Sequence, residues 1–456
     1  MLRNGTHAPV DDWVRQLERG TITRREFTRR TIAAGLSLGA VGTLLAACGG
    51  DDDETPAADT SGGPVTIQFW KFVSENDDPA IEAAVKRWNG ANPNIQVRFQ
   101  TSPFEDYLGT KLTTAFAAGK GPDVFWISPG QFLNYVNNEV STPVDDIVSD
   151  VRDDYSQAAI DAVSVDGKMQ SLPFEQEPVA LYYRPDLLEN AGVEPPTTWD
   201  ELLAACEALT TGRQRGIVIE AAQNPYQNFT WYPFLWSAGG EVVNEDSSES
   251  ALRTPEAASA FDIWGQLVRR GYAPNKNETI TADIGPLGRG ETAMQVCGFW
   301  AIAGLKSGFP DVEFGIVPLP IPSGGEHVTV YGGWTQMVNS KGPNVEQALA
   351  FTKGLWIDDE EFAHTWACEQ ATKFSPRESV NEGCADVFGN EPHSIFTNDI
   401  LPTAQAEPRY PDQVVKAVGD GIQAALFRNA SGEEAASIAA DGIDRFLRTY
   451  QGAPLG

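Results

Sequence analysis

The chain has 456 residues, of which 33 are Lys or Arg and 63 are Asp or Glu, so its net charge is −30 at pH 7. Such an acidic chain is a poor partner for nucleic acid or for an anionic lipid surface, and we expect neither. The length exceeds what one hydrophobic core organises and favours two domains. The four histidines are scattered and no Cys or His spacing fits zinc, so we expect no metal and no cofactor.

The N-terminal segment predicts export and lipid anchoring. Residues 23–27 read Thr-Arg-Arg-Glu-Phe, a twin-arginine pattern, and a mildly apolar stretch follows and ends in Leu-Ala-Ala before Cys48. We expect residues 1–47 to be a lipoprotein signal peptide and Cys48 to carry the lipid on the outer face of the cytoplasmic membrane. The alternative is a transmembrane helix over 31–47, but that run is short for a span and is diluted by Gly, Ser and Thr.

Residues 48–63 predict a flexible tether between this anchor and the folded body. The segment is polar and acidic and has no hydrophobic periodicity. As a flexible coil it would span roughly 20 Å.

The remaining cysteines suit an oxidising compartment. Without Cys48 an even four are left, and Cys368 and Cys384 are close enough in sequence to close a loop by a disulfide. Two buried thiols are the alternative for this pair. For Cys206 and Cys297 both a long-range bridge and free thiols stay open.

From Val65 onward, strand and helix patterns alternate, which predicts an α/β fold with parallel strands. In the first part we expect a helix that Asp78 caps, helical structure over 107–118, and strands at 65–70, 95–100 and 123–128. Further on, Thr198 and Glu201 form a capping-box pattern, and Thr254-Pro255 begins an amphipathic helix that Gly271 ends. We expect the later strands and helices at 179–183, 216–221, 314–318, 327–331, 345–356, 360–370, 411–427 and 433–450.

Several short motifs, in this order, carry a resemblance to a known family. They are Gly121-Pro122-Asp123-Val124, Leu172-Pro173-Phe174, the run 180–187 (ALYYRPDL), the run 196–202 (PTTWDEL), 290–294 (GETAM) and Gly298-Phe299-Trp300. Behind a lipoprotein signal, the chain resembles the extracytoplasmic solute-binding proteins of ABC importers, in the sugar-binding group typified by maltose-binding protein. The resemblance covers 65–450.

The resemblance implies a two-lobed, type II periplasmic-binding-protein fold in which the chain crosses a hinge three times and the ligand lies between the lobes. We place the crossings near 172–174, 331–334 and 373–375. The first lobe would then comprise 64–172 and 334–373, and the second 174–333 and 374–456. Gly332-Gly333 and Pro173 suit such positions, since Gly tolerates large backbone changes and Pro fixes an extended entry.

A sugar needs hydrogen-bond partners for its hydroxyls and flat aromatic rings for its C–H faces. The resemblance gives this role to Glu177, as an acid that contacts the sugar, and to Trp300, as a platform. Positions at strand ends and loops supply the other candidates, which are Trp70, Lys71, Glu75, Trp126, Gln131, Glu175, Gln227, Asn228, Phe229, Tyr232, Trp236, Gly333, Trp334 and Arg409. For the aromatic residues the competing interpretation is core packing, and for the charged ones a solvated surface.

The expected function is that of a monomeric, lipid-anchored binding protein that is not an enzyme. It would close on a di- or oligosaccharide and deliver it to a membrane permease. The segment after Trp126 and the run Gln227-Asn228-Phe229 depart from maltose-binding protein, so the sugar need not be maltose. One alternative ligand is a glycerophosphodiester or phosphorylated sugar. The alternative from another class is a secreted glycoside hydrolase that uses Glu175 and Glu177.

Overall fold

The computed structural model describes residues 63–276 and 281–455. The predicted signal peptide, Cys48 and nearly all of the predicted tether therefore lie outside the described residues. Within the two ranges, no helix is long and apolar enough to cross a membrane.

The first sheet has the strand order β2-β1-β3-β12-β6. The first three of these strands in the chain are parallel, as predicted, whereas β12 runs antiparallel to both β3 and β6. Only β12 is reversed in this sheet, because β6 is antiparallel to β12 and therefore runs in the same direction as β1, β2 and β3. Both β6 and β12 lie at points where the chain passes between the two large sheets. The strands are β1 Val65–Phe72, β2 Ile95–Ser102, β3 Val124–Ile127, β6 Leu172–Pro173 and β12 Thr335–Val338.

The second sheet has the order β13-β11-β7-β9-β8, and β10 also pairs with β7. Its central strands β7 and β9 are antiparallel and almost entirely buried, so they carry continuous apolar runs. The strands are β7 Glu177–Tyr183, β8 Arg215–Val218, β9 Thr292–Gly298, β10 Gly315–Val317, β11 Thr329–Gly332 and β13 Ala404–Ala406. A small hairpin of β4 Ser164–Val165 and β5 Lys168–Met169 stands apart.

Each large sheet has its own apolar core, and we call the two bodies the first and the second lobe. The helices of the first lobe and of the segment that follows β12 are Asp78–Ala91, Phe104–Asp106, Leu112–Ala117, Pro129–Asn137, Asp145–Val148, Gln157–Ala162, Val345–Lys353 and Glu360–His364. Single π-helical turns at Tyr107–Lys111, Gly354–Asp358 and Thr365–Glu369 and a 3-10 turn at Ser149–Asp154 extend them.

The second lobe is the more helical one. Its C-terminal pair packs against Pro255–Arg269, and its smaller helices surround a satellite apolar cluster that contains Phe374 and Phe396. The helices are Pro185–Ala191, Trp199–Leu209, Pro225–Ser237, Pro255–Arg269, Gly285–Gly288, Ala301–Gly308, Glu378–Gly383, Ala385–Phe388, His393–Ile395, Asp412–Phe427 and Gly432–Leu447. A π turn, Phe396–Ile400, and a 3-10 turn, Leu401–Thr403, precede β13.

Local sequence signals fixed several helix ends as predicted. The Thr198 hydroxyl and the Glu201 carboxylate form a reciprocal capping box, and Thr254 caps helix Pro255–Arg269. One expectation was wrong, since Asp78 does not cap its helix and its carboxylate pairs with Lys71 instead. The segment 107–118 is helical as predicted, and it begins with a π turn.

The chain passes between the two large sheets at 174–176 and at 333–334, where β6 precedes β7 and β11 precedes β12. A third segment lies beside the first of these passages, since the Gln176 N–H donates a hydrogen bond of 2.7 Å to the Phe374 carbonyl oxygen. Gly333 has a φ of 130°, which side-chain-bearing residues rarely adopt. A Cβ there would lie 2.0 Å from the Glu175 carbonyl oxygen, so only glycine fits this passage.

Two cysteine pairs behave differently. Cys368 and Cys384 form a disulfide, while Cys206 and Cys297 are buried free thiols. The long-range bridge between Cys206 and Cys297 is therefore absent from the described structure.

Candidate ligand-binding cleft

A cavity of ≈ 400 Å³ lies between the two lobes. The first lobe contributes the segment 72–77 with Phe104, Leu108 and Ser128, and the second contributes Tyr226, Phe229, Trp300, Glu407 and the segment 282–284. Gly333, Trp334 and Lys373 from the connecting segments complete the wall. The volume is within the range of small-molecule sites and is large enough for a ligand of two or three rings.

Aromatic side chains of the second lobe form one wall. The rings of Tyr226 and Phe229 stack with their centroids 5.9 Å apart, and Trp300 meets Tyr226 edge-on at 6.1 Å. The Trp300 Nε1 donates a hydrogen bond of 2.8 Å to the Ala282 carbonyl oxygen, which fixes the indole. A Cβ on Gly298 would lie 1.8 Å from Trp300 Cζ3, so this ring position depends on glycine.

The first lobe and the connecting segment present a second aromatic wall. The centroids of Phe72 and Trp334 are 4.4 Å apart, and Phe104 meets both rings edge-on, at 5.0 Å from Phe72 and 6.0 Å from Trp334. All three residues line the cavity. A ligand in the cavity would thus have an aromatic wall from each side of the cleft.

A buried ion pair closes the cavity where the connecting segments meet. Lys373 Nζ pairs with Glu177, and their side chains are 6% and 5% exposed. Burial lowers the pKa of Lys373, but the carboxylates of Glu177, Asp77 and Glu175 outweigh it and hold that pKa above its ordinary value. Lys373 therefore stays charged at neutral pH.

Glu175 is a further buried carboxyl of this group. Burial and the neighbouring Glu177 raise the pKa of Glu175 well above its ordinary value. Its Oε1 accepts a hydrogen bond from the Trp334 N–H at 3.2 Å, and its Oε2 has no hydrogen-bond partner among the described residues. Glu175 lies behind the cavity rather than in its lining.

The wall segment 281–284 is held by side chains from three elements. Glu220 accepts hydrogen bonds from the Thr281 N–H at 2.8 Å and from its hydroxyl at 3.0 Å. Gln295 Nε2 donates to the carbonyl oxygens of Thr281 and Asp283 at 3.0 and 2.8 Å. Together with the Trp300 bond, these contacts fix the wall in place before any ligand binds.

Glu407 extends from the second lobe to the first. Its backbone N–H donates to the Tyr331 carbonyl oxygen at 3.0 Å, and its carboxylate accepts a backbone hydrogen bond from Gly130, in the first turn of helix Pro129–Asn137. Burial raises the pKa of Glu407 to about 8 although the Gly130 hydrogen bond opposes the shift. One carboxyl thus joins the two lobes beside the cavity.

The structure brings part of the predicted site to the cavity. The predicted residues that line it are Glu75, Glu177, Phe229, Trp300, Gly333 and Trp334. They come from five separate parts of the chain, and the fold brings them together at one cavity.

Four predicted residues of the first lobe do not line the cavity. Trp126 is fully buried in the core. Lys71 is also buried, with its Nζ 4.9 Å from the centre of the Trp126 ring and paired with Asp78. Trp70 and Gln131 also lie outside the lining. For Trp70, Lys71 and Trp126 the reason is that β1 and β3 are inner strands covered on both faces, so their side chains enter core layers. Gln131 lies instead on helix Pro129–Asn137, and its Nε2 donates to the Leu108 carbonyl oxygen at 3.3 Å.

The second lobe gives a similar correction. Helix Pro225–Ser237 is buried nearly all round, so only Pro225, Tyr226 and Phe229 from it reach the cavity. Side chains that instead bond or pack within the protein are those of Gln227, Asn228, Tyr232, Trp236 and Arg409.

Sequence reasoning missed several lining residues. Lys373 lies at a predicted crossing, and this position could have marked it as part of the site. Phe72, Phe104, Tyr226 and Glu407 stand in no motif, and only the tertiary structure brings them to the cleft.

Comparison with known proteins gives consistent results. The profile of the family described as bacterial extracellular solute-binding protein matches residues 73–353. A Brucella abortus protein named as a binding protein is 25% identical over 403 residues, which cover 86% of this chain and 95% of that protein. A maltotriose-binding protein of Pyrococcus abyssi is 25% identical over 311 residues, covering 67% of this chain and 65% of that protein.

Solved structures share the fold. An ABC transporter solute-binding protein of Thermotoga lettingae, solved with α-D-tagatose, superposes with a TM-score of 0.75 at 23% identity. The match covers 84% of this chain and all of that one. The fold is thus the α/β, two-lobed type II periplasmic-binding-protein fold. Since the family profile matches more than half of the sequence, this chain belongs to the bacterial extracellular solute-binding protein family.

Proposed function

We propose that the chain is the substrate-binding subunit of an ABC importer and that it captures a di- or oligosaccharide between its lobes. The observation that carries this proposal is the pair of aromatic walls that face the same ≈ 400 Å³ cavity. Aromatic faces suit the C–H surfaces of sugar rings, and the Glu, Asp, Asn and Ser side chains of segment 74–77 suit their hydroxyls. The similarity to a maltotriose-binding protein supports the same ligand class.

Lobe closure is the proposed working motion. The lining combines residues of both lobes, so a bound sugar gains contacts in the closed form that it cannot make to one lobe alone. The passages at 174–176 and 333–334 are short, and Gly333 supplies backbone freedom at one of them. The closed, sugar-loaded form would then be the one that the membrane permease accepts.

Export and anchoring belong to the same proposal. The twin-arginine signal would direct the chain across the membrane, cleavage would leave Cys48 as its first residue, and the lipid there would hold it beside the permease. We propose that it acts as a monomer and not as an enzyme.

A phosphorylated ligand fits the cleft poorly. Five acidic residues line it, namely Glu75, Asp77, Glu177, Asp283 and Glu407. Among the described lining residues Lys373 is the single cation, and it already pairs with Glu177. An anionic phosphate would therefore meet repulsion without a free partner.

Glycoside hydrolysis is also disfavoured by the geometry. A hydrolase needs two carboxyl groups on either side of the scissile bond. Here Glu175 lies behind the cavity and bonds the Trp334 N–H, while Glu177 pairs with Lys373. The two acids thus serve the hinge region and do not face each other across the cavity.

A thermal-shift panel of mono-, di- and trisaccharides tests the proposal. A ligand at 100 times its dissociation constant should stabilise the fold by about 2.7 kcal/mol. The assay should include glycerol 3-phosphate and glucose 6-phosphate, and product analysis of every incubation should show no cleavage. Shifts only with the phosphorylated compounds, or cleavage of a disaccharide, would overturn the proposal.

A further inference from the structure

The acids that line the cavity differ in how their charge is balanced. Glu177 forms an ion pair with Lys373, and Asp77 lies close enough to Lys373 to raise the pKa of its ammonium group. Glu75 and Asp283 are exposed to solvent. Glu407 is buried, with 7% of its surface exposed, and within 63–276 and 281–455 no Lys, Arg or His forms an ion pair with it in the way that Lys373 does with Glu177.

The Glu407 carboxyl has one satisfied side and one side toward the cavity wall. A Cβ built on Gly130 would lie 2.1 Å from Oε1, which shows how closely that oxygen packs against the helix start. Oε2 is 3.5 Å from the corresponding position on Gly332, and the Phe229 ring is 2.7 Å from the same position. Gly332 and Phe229 both line the cavity, so Oε2 lies where a ligand would meet an aromatic face.

A buried carboxylate without a cation is costly, and a ligand cation would remove that cost. The neighbouring rings add to this effect, because the faces of Phe229, Tyr226 and Trp300 attract positive charge as well as sugar C–H groups. A carboxyl beside aromatic faces is therefore the chemistry that selects an ammonium group attached to an apolar ring surface.

We propose that this cleft takes a carbohydrate that carries a protonated amine, and that Glu407 is the specificity-determining residue that pairs with the ammonium. The inference rests on the proposed sugar-binding function and names the ligand class within it. A neutral sugar hydroxyl could hydrogen-bond to the protonated Glu407 carboxyl, but it would supply no positive charge to pair with the carboxylate.

Binding of an ammonium should release a proton from the protein. Burial raises the pKa of Glu407 to about 8, so near pH 7 the carboxyl is mostly protonated before binding. Pairing with the ligand ammonium lowers that pKa, and the carboxyl proton passes to the buffer. Tyr232, which burial keeps protonated, interacts with Glu407. On the neighbouring strand, Glu177 lies opposite Gly332 and pairs with Lys373.

The test is calorimetric titration of the full chain with matched sugars near neutral pH. The probes are glucosamine, N-acetylglucosamine and glucose, and the β-1,4-linked glucosamine disaccharide with its diacetylated form and cellobiose. The amine-bearing member of each set should bind about tenfold or more tightly than its neutral analogues. Repeating the titration in buffers of different ionisation enthalpy should show release of more than roughly half a proton for the amine alone.

Glu407→Gln should abolish the preference for the amine over its neutral analogues and the proton release. Glu326→Gln, the same change at an exposed site away from the cavity, should leave both intact. If Glu407→Gln does not fold, the proton release of the unaltered chain still decides the question. Equal or tighter binding of neutral sugars would refute the inference and leave the sugar-binding function standing. Absence of binding by every sugar would refute both.

Discussion

The buried ion pair at the cleft gives the sharpest test of how the site is built. Lys373→Met would remove the ammonium and leave Glu177 without its partner, with its side chain only 5% exposed. Breaking a buried pair in this way costs about 3–5 kcal/mol of folding free energy, because the remaining charge keeps its desolvation penalty. Urea-induced unfolding, followed by far-ultraviolet circular dichroism, would measure the loss.

Two further variants make this prediction specific. Adding Glu177→Gln to Lys373→Met removes the stranded charge and should recover about 1–3 kcal/mol. Lys416→Met breaks a solvent-exposed pair with Asp420, in which the Lys side chain is 69% exposed, and should cost no more than about 1 kcal/mol. If Lys373→Met costs as little as Lys416→Met, or the double variant recovers nothing, then burial does not govern this pair and our account of it is wrong.

Other consequences concern binding, the hinge, pH and the anchor. Trp300→Ala should weaken binding of the sugar found in the panel about tenfold, as measured by calorimetry. It should cost less stability than Trp264→Ala, a control at a fully buried site where the loss should be about 3–5 kcal/mol. If Trp300→Ala destabilises the fold more than Trp264→Ala, Trp300 is a core residue. Gly333→Ala, at a φ of 130°, should lower the melting temperature and impair closure, and an unchanged melting temperature would contradict it. Burial raises the folded-state pKa of Glu407 from 4.5 to about 8, so the free energy of unfolding should fall as the pH rises from 4.5 to 8. Glu407→Gln should make this fall smaller. Equal slopes of melting temperature against pH for the variant and the unaltered chain would argue against this. Cys48→Ser should abolish fatty-acid labelling, and retained label would disprove the lipid site.

Local chemistry explains what the sequence predicts well. The capping box at Thr198 and the cap at Thr254 each satisfy free N–H groups within four residues, so no distant contact is needed to recognise them. The π turn that begins the predicted helical segment 107–118 has no local signal, because Tyr107 is fixed there by tertiary contacts. Its hydroxyl bonds the carbonyl oxygens of Trp70 and Trp126, at 3.0 and 2.8 Å, and the chain takes a π turn there.

The site was harder to predict, because position at a strand end does not say which way a side chain points. Trp126 and Trp300 both lie at or next to the end of a strand, yet the first is enclosed by core and the second lines the cavity. The difference comes from Gly298 and the Ala282 carbonyl, which hold the Trp300 indole toward the cleft. Such partners are distant in sequence or carry no side chain, so no local pattern reveals them.

The placement of the Glu177–Lys373 pair connects recognition to movement. Both residues line the cavity, and both lie on segments through which the chain passes from one lobe to the other. A ligand that hydrogen-bonds to Glu177 therefore acts on the same buried charges that fix the geometry of the connecting segments. Glu407 adds a second such point, since one carboxyl reaches Gly130 of the first lobe and the cavity of the second. On the two proposals made above, ligand binding and lobe position would be coupled through the carboxyl groups of Glu177 and Glu407.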